Sequence, residues 1–318
     1  MRKVRKAVIT AAGRGTRQYP ASSAVQKEMF PLVDRDGRTK PVIQVVVEEA
    51  IDSGIEDVCV VIQPGEEKLY RDYFRRLDDG TIHAFKDKDW ALRESEKLQS
   101  LGERLRFVEQ TSPEGFGHAV YQARCFVGDE PFLLLLGDHV FISDSSVRCA
   151  RQAIDVFEEY DLDVVTAVQP TPERELHLFG TIRGRPVDPT RGVFQSELIV
   201  EKPTVELARE KLVTPGLPPG YYLSHFGIHV FSPIIFEALE YMIVNDLRDK
   251  GELQLTAAQE LARQRTDKSW VAIVRGLRCD TGIPFGLAET QLALALAGVH
   301  RDEMCQAITR LMSRPTGQ

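Results

Sequence analysis

Gly13, Gly15, Arg17 and Lys27 are the residues whose types and spacing first suggest chemistry. The apolar run Ala7-Val8-Ile9-Thr10-Ala11-Ala12 ends in Gly13-Arg14-Gly15-Thr16-Arg17. A short buried strand opening into a glycine turn presents bare backbone N–H groups, which is how a main chain cradles a phosphate. Arg17 and Lys27, the latter beginning Lys27-Glu28-Met29-Phe30-Pro31-Leu32, add fixed positive charge beside that turn. Together they suit a polyphosphate. Two commoner phosphate motifs are excluded: Gln18 stands where a dinucleotide fingerprint needs its third glycine, and no G-x-x-x-x-G-K-[ST] occurs. A G-x-G alone is more often a structural turn, so its neighbours in the chain must decide its meaning.

Further along, Asp138 follows Phe132-Leu133-Leu134-Leu135-Leu136-Gly137. Its carboxylate is expected at the carboxyl end of a buried strand, where open α/β sheets bind ligands. A hard oxygen donor there suits Mg²⁺, which takes one or two carboxylates together with substrate phosphates and water. A turn or helix cap is the plainer role for the same residue. Glu201-Lys202-Pro203 closes the apolar run Leu198-Ile199-Val200. The carboxylate can accept from two sugar hydroxyls, the lysine can neutralise a phosphate, and the proline fixes the turn that presents them. Gln110 offers both an amide donor and an acceptor, as the imide edge of uracil or thymine requires, and Gly115 would let backbone groups approach a ring. His118 reads as structural, because attack by an already anionic phosphate needs no general base of that pKa. Neither a nucleophile elbow, paired acid–base carboxylates nor a Cys–His arrangement is indicated.

These residues need a frame. Apolar runs of strand length at 6–11, 57–62, 105–109, 132–136, 163–168, 194–200, 223–231 and 269–274 alternate with helical patterns at 41–53, 117–126, 145–160, 233–245 and 253–264. Such alternation predicts a doubly wound α/β fold with a largely parallel sheet flanked by helices. Residues 66–104 are unusually charged and helical, more than a simple crossover needs, and the tail after Pro284 reads as helix.

With 318 residues and 43% hydrophobic content, the chain can bury a large core. Its 40 basic and 47 acidic residues give a net charge of −7, which suggests no general affinity for nucleic acid or anionic membrane. Five cysteines without C-x-x-C spacing argue against a disulfide framework or zinc site and suit a reducing cytosol, so a cytoplasmic location is expected. No run approaches membrane-spanning length.

The motifs also stand in a set order. After the glycine turn and Lys27-Glu28-Met29 come Glu109-Gln110, Gly115-Phe116-Gly117-His118-Ala119, Leu136-Gly137-Asp138, Val200-Glu201-Lys202-Pro203, Gly251-Glu252-Leu253-Gln254-Leu255-Thr256 and Cys279-Asp280-Thr281-Gly282. In this order the chain, from about residue 6 to 297, resembles the sugar-1-phosphate nucleotidylyltransferases, most closely the bacterial-type UTP–glucose-1-phosphate uridylyltransferase family. The resemblance implies a Rossmann-like sheet and transfer of a uridylyl group from UTP to glucose 1-phosphate, by direct in-line attack on the α-phosphorus and with Mg²⁺. It assigns Arg17, Lys27 and Lys202 to catalytic charge neutralisation, and Ala11, Ala12, Gly13, Gly15, Thr16, Gln110 and Gly115 to the nucleotide. Gly180, Glu201 and Gly227 fall to the sugar, and Asp138 and Asp280 to the metal. The expected organisation is a catalytic domain over 1–284, with a helical insertion at about 66–104, and a C-terminal helical extension over 285–318 in a homo-oligomer.

Three departures from that family stand out. Its Pro-x-Thr-Lys-x-x-Pro-Lys-Glu-Met stretch reads here from Pro20 to Met29 with Ser23 for the first lysine and Gln26 for the second proline. The connection Asp34-Arg35-Asp36-Gly37-Arg38-Thr39 is longer, and Gly137-Asp138-His139 replaces a Pro-Asp-Val type of triplet. Three readings stay open on these grounds: uridylyl transfer to glucose 1-phosphate, the same chemistry with another base or sugar such as thymidylyl transfer, and a catalytically silent regulatory homologue.

Overall fold

The computed structural model describes residues 2–85, 87–249 and 251–314. Among them are thirteen strands: β1 (Lys6–Thr10), β2 (Pro31–Val33), β3 (Thr39–Pro41), β4 (Asp57–Ile62), β5 (Leu105–Glu109), β6 (Phe132–Leu136), β7 (His139–Ser143), β8 (Val164–Pro172), β9 (Thr181–Asp188), β10 (Val193–Val200), β11 (Tyr221–Phe231), β12 (Ser269–Ile273) and β13 (Gly276–Asp280). Nine form one sheet in the order β5-β4-β1-β6-β11-β8-β12-β10-β9. β5, β4, β1 and β6 are mutually parallel, β12 is parallel to β8, and β10 and β11 run against their neighbours. The sheet is therefore mixed, with its parallel block where the glycine turn was expected.

That block explains the continuous apolar runs. Strands covered on both faces cannot alternate polar and apolar residues, and their side chains divide by period two between the two faces. Ile9, Val58, Val60, Leu133 and Leu135 enter one core with the helices Val42–Ile51 and Cys149–Glu159. Val8, Cys59, Val61 and Leu134 enter the opposite core with Phe116–Gln122, Ile234–Val244 and Leu255–Arg263.

Because β1, β4, β5 and β6 share one direction, their carboxyl ends share one edge. The glycine turn after Thr10, Gln110 after β5 and Asp138 after β6 are delivered to that edge by topology alone. Two smaller ribbons complete it: β2 pairs with β3, and β7 pairs antiparallel with β13, setting His139 opposite Asp280. Asp280, beyond the strand β12, ends its own short strand on this ribbon, outside the main sheet.

The charged stretch 66–104 carries the helices Glu67–Tyr73, Asp79–Ala84 and Asp89–Glu103. Beyond the sheet, Pro284–Leu296 and Arg301–Met312 are helical, with Pro284 at the first turn, where its missing N–H costs nothing. Of the helical tail expected over 285–318, residues 315–318 lie outside the described residues. No described helix is long and apolar enough to cross a membrane.

Candidate active site

A cavity of about 290 Å³ opens at the carboxyl edge of the parallel block. Ala12, Gly13, Lys27, Gln110, Gly115 and Asp138 line it, as do Arg14 and Glu252, to which sequence reasoning gave no role. Ala11 lies buried just behind, its N–H donating to the Val61 carbonyl at 2.7 Å. Gly15 and Thr16 sit outside the lining on the turn that begins the short helix Thr16–Gln18. A Cβ on Gly13 would stand 3.4 Å from Lys27 Nζ, and one on Gly15 would stand 3.5 Å from Lys27 Cδ. Gly15 also has φ +62°, so the turn uses glycine both to reverse and to lie over the lysine stem.

Lys27 is buried, and its Nζ lies 2.5 Å from Asp138 Oδ2 and 3.1 Å from Glu28 Oε1. One cation is thus shared by two buried carboxylates. Burial works against charge on Lys27, but the Asp138 and Glu28 charges outweigh it and raise its pKa. Asp138 is likewise opposed by burial, yet its hydrogen bond with His139 Nδ1 at 2.9 Å and the Lys27 charge hold it well below the carboxylate range. Glu28 behaves differently. Neither of its oxygens has a well-aligned hydrogen bond, and burial pushes its pKa up to about 7 despite Lys27.

Asp138 is fixed through its backbone. Its carbonyl accepts from Thr281 N–H and Thr281 Oγ1, each at 2.8 Å, and Gln18 Nε2 donates to the Thr281 carbonyl at 2.7 Å. These bonds tie β6, the end of β13 and the turn after Gly15 together. Asp138, His139 and Asp280 each present a donor atom within 4.8 Å of the others. Gly282 leaves the space they face: a Cβ there would stand 2.5 Å from Asp138 Oδ2 and 2.9 Å from Asp280 Oδ1. Two carboxylates converging on a cradle that one methyl would fill are a donor set fit for a divalent cation. Arg17 does not line the cavity; exposed, it reaches Asp280 with NH1 3.8 Å from Oδ2.

Gln110 is buried at the wall, where its Nε2 donates to the Gly115 carbonyl at 3.2 Å and meets His118 Nδ1 at 3.1 Å. His118 thereby orients Gln110, the structural part expected of it. Gly115 has φ +111°, and a Cβ there would stand 2.8 Å from the Leu253 carbonyl. Its bare Cα leaves room for the Leu253 backbone and Glu252 Cβ to approach while it lines the cavity.

Glu201, Lys202 and Gly180 do not line this cavity. Glu201 lines a neighbouring groove of about 660 Å³ with Gln254, Thr256 and Arg248, and Thr256 Oγ1 donates to its Oε2 at 2.6 Å. Thr256 ends the motif Gly251-Glu252-Leu253-Gln254-Leu255-Thr256, whose sequence alone does not signal this contact. Gly180 fits between Glu201 and His225, since a Cβ there would stand 3.1 Å from Glu201 Oε2 and 2.8 Å from His225 Nδ1. Lys202, at φ +44°, is more than half exposed, with Nζ 3.9 Å from Glu201 Oε1. Gly227, at φ +89°, faces the His139 ring, with a Cβ position 3.3 Å from Cδ2.

This fold and this carboxylate-lined edge agree with the outcome of comparison. The model of the nucleotidyl transferase family matches residues 6–295, and the chain belongs to that family. A UTP–glucose-1-phosphate uridylyltransferase of Bacillus subtilis (strain 168) is 34% identical over 317 residues, covering 99% of each chain. One of Streptococcus pneumoniae serotype 4 is 36% identical over 298 residues, 92% of this chain and 91% of that one. Among solved structures, a UDP-glucose pyrophosphorylase complexed with UDP-glucose superposes with a TM-score of 0.72 at 28% identity, over 91% of this chain and 98% of the other. A UTP-bound enzyme of the same kind from Acinetobacter baumannii gives 0.76 at 27% identity, over 97% and 99%. The expected sugar-1-phosphate nucleotidylyltransferase kinship and α/β fold are borne out.

The Glu28 carboxyl has a signed consequence for stability. An unfolded Glu releases its proton near 4.5, whereas the folded one holds it to about 7. Between those values the folded state binds more protons, so stability falls as pH rises through this window and the full cost is present above it. In chelator, Glu28→Gln is expected to stabilise the protein relative to wild type at pH 8 by on the order of 2 kcal/mol more than at pH 5, as urea unfolding at the two values reads directly. An equal effect at both would show that Glu28 is ionised in the fold throughout.

Proposed function

We propose that the chain is a UTP–glucose-1-phosphate uridylyltransferase of the cytoplasm that forms UDP-glucose and pyrophosphate. The observation that carries this reading is the convergence of the glycine turn, Lys27, Gln110 and Asp138 on one cavity. In it, the backbone of Ala11, Ala12, Gly13, Gly15 and Thr16 holds the triphosphate, and Gln110 pairs with the uracil edge beside Gly115. Lys27 and Arg17 neutralise the departing pyrophosphate. Glu201 accepts from sugar hydroxyls beside Gly180 and Gly227, and Lys202 steers the sugar phosphate.

A phosphate oxygen of glucose 1-phosphate forms the new bond to the α-phosphorus. The bond from that phosphorus to the α–β bridging oxygen breaks, and pyrophosphate leaves with the electron pair. The nucleophile is already anionic, so alignment and charge neutralisation are the protein's main contributions. Asp138 and Asp280 would hold Mg²⁺, which supplies charge neutralisation at the phosphates when bound.

We assign 1–284 to the catalytic domain, with the 66–104 helices as an insertion, and 285–318 to an appended helical segment within a homo-oligomer. A second reading, the same chemistry with dTTP or another sugar, rests on Ser23, which is exposed where the resembled family carries a lysine. The silent-homologue reading is disfavoured by the presence of Arg17, Lys27, Asp138, Lys202 and Asp280 together.

Pyrophosphate release measured across a panel of nucleoside triphosphates and sugar 1-phosphates in Mg²⁺ tests the proposal. UTP with glucose 1-phosphate is expected to give the highest kcat/KM; a preference for dTTP would move the reading to the second, and no turnover with any pair would refute both.

The two lysines should divide the substrates between them. Lys27→Ala is expected to impair chiefly the use of UTP and Lys202→Ala the use of glucose 1-phosphate, each by about 2 kcal/mol or more for a lost charge-assisted contact. Kinetics with each substrate varied in turn check this. Loss confined to the same substrate in both variants would mean that the two phosphates are misplaced.

A further inference from the structure

The metal reading proposed above uses two carboxylates, but the structure places an imidazole beside them. His139 is mostly buried, begins β7 directly opposite Asp280 in the ribbon register, and holds Nδ1 2.9 Å from Asp138 Oδ1. Asp138 is divided in its contacts: Oδ2 belongs to Lys27, and Oδ1 to His139. The ring itself is given room. Gly227 sits in the irregular stretch between His225 and His229 on β11, and a Cβ there would press on His139 Cδ2 at 3.3 Å.

Two donor atoms bound side by side to one ion of this size, at roughly 2.1 Å each, lie about 3 Å apart. The His139 Nδ1–Asp138 Oδ1 separation, 2.9 Å, has that value. We propose that His139 is a third protein ligand of the metal through Nδ1, with the ring's remaining proton on Nε2. On this assignment, which rests on the metal role given to Asp138 and Asp280, the site is a mixed carboxylate–imidazole set. Carboxylate and water suit Mg²⁺, whereas imidazole adds affinity for first-row transition metals. The chain therefore prefers Mn²⁺ over Mg²⁺ and holds it without nucleotide. The ligand form is neutral imidazole, with the ring's one proton on Nε2.

The test is direct binding of Mn²⁺ to chelator-stripped protein, followed by electron paramagnetic resonance with spin-echo detection of nitrogen coupling. Wild type is expected to bind Mn²⁺ at least tenfold more tightly than Mg²⁺ in competition and to show coupling to one imidazole nitrogen. His139→Gln keeps a hydrogen-bond donor for Asp138 but removes the imidazole. It is expected to lose the coupling and about tenfold in Mn²⁺ affinity, with a smaller loss for Mg²⁺. Bound Mn²⁺ without nitrogen coupling in wild type, or equal losses for both metals in His139→Gln, would overturn the proposal and leave His139 as a positioning residue. Failure of wild type to bind Mn²⁺ without nucleotide would overturn it too. Asp138→Asn separates the two levels: if it binds Mn²⁺ as wild type does, the carboxylate metal reading itself is wrong, whereas if it loses Mn²⁺ while wild type shows no coupling, only the assignment of His139 falls.

Discussion

The buried ion pair between Lys27 and Asp138 is the contact on which the rest of the site depends. It joins the turn Lys27–Met29 to the loop after β6, more than a hundred residues away in sequence, with a separation of 2.5 Å. Both partners are almost wholly removed from water, so loss of either would strand the other at a cost of about 3–5 kcal/mol. The glycine turn lies over the lysine stem because Gly13 and Gly15 carry no side chains, and Gln18 and Thr281 lock the aspartate backbone from the other side. In the structure as it stands, cation and carboxylate satisfy one another. A phosphate and a divalent ion would satisfy the same two groups separately, so exchange of this pair for substrate contacts is the natural means of loading the site.

Topology determines where this occurs. The parallel block presents its carboxyl ends together, and loops from β1, β5 and β6 supply the turn, the amide and the carboxylate to one cavity. The antiparallel part, around β9, β10 and β11, supplies Gly180, Glu201 and Gly227 from the neighbouring side. Glu252 lines the cavity and Gln254 lines the adjoining groove, so residues 252–254 stand at their boundary. Two substrates approaching from two halves of one sheet fit this division.

Much of the frame was legible in the chain because buried parallel strands must be apolar throughout. The runs at 57–62 and 132–136 therefore coincide with β4 and β6, while 105–109 coincides with the edge strand β5, which carries Arg106 and Glu109. What escaped was of another kind. β9 carries Gly184 and Pro186; Thr181 and Ile182 also pair with β11, but Pro186 pairs with β10 alone, where proline is tolerated and the apolar signal is interrupted. β7 and β13 pair only with each other, and β13 leaves Leu277 half exposed, so neither gives a continuous buried run. Asp280 could be read as a metal residue by resemblance, but its ribbon could not. His139 stood in plain view as a departure from the family triplet, and its meaning needed the register that sets it opposite Asp280. Glu28 gave no signal, since a glutamate beside a lysine is ordinarily solvated, and only burial of both makes it unusual.

The exchange of partners at Lys27 can be seen most directly in a crystal structure of the protein with UTP and Mn²⁺, the ion located by its anomalous scattering. The account predicts the ion between Asp138 and Asp280, the triphosphate along the turn from Ala11 to Thr16, and Lys27 Nζ moved beyond hydrogen-bonding distance of Asp138 onto a phosphate oxygen. An ion bound away from both carboxylates, or Lys27 still paired with Asp138 beside a bound triphosphate, would contradict it.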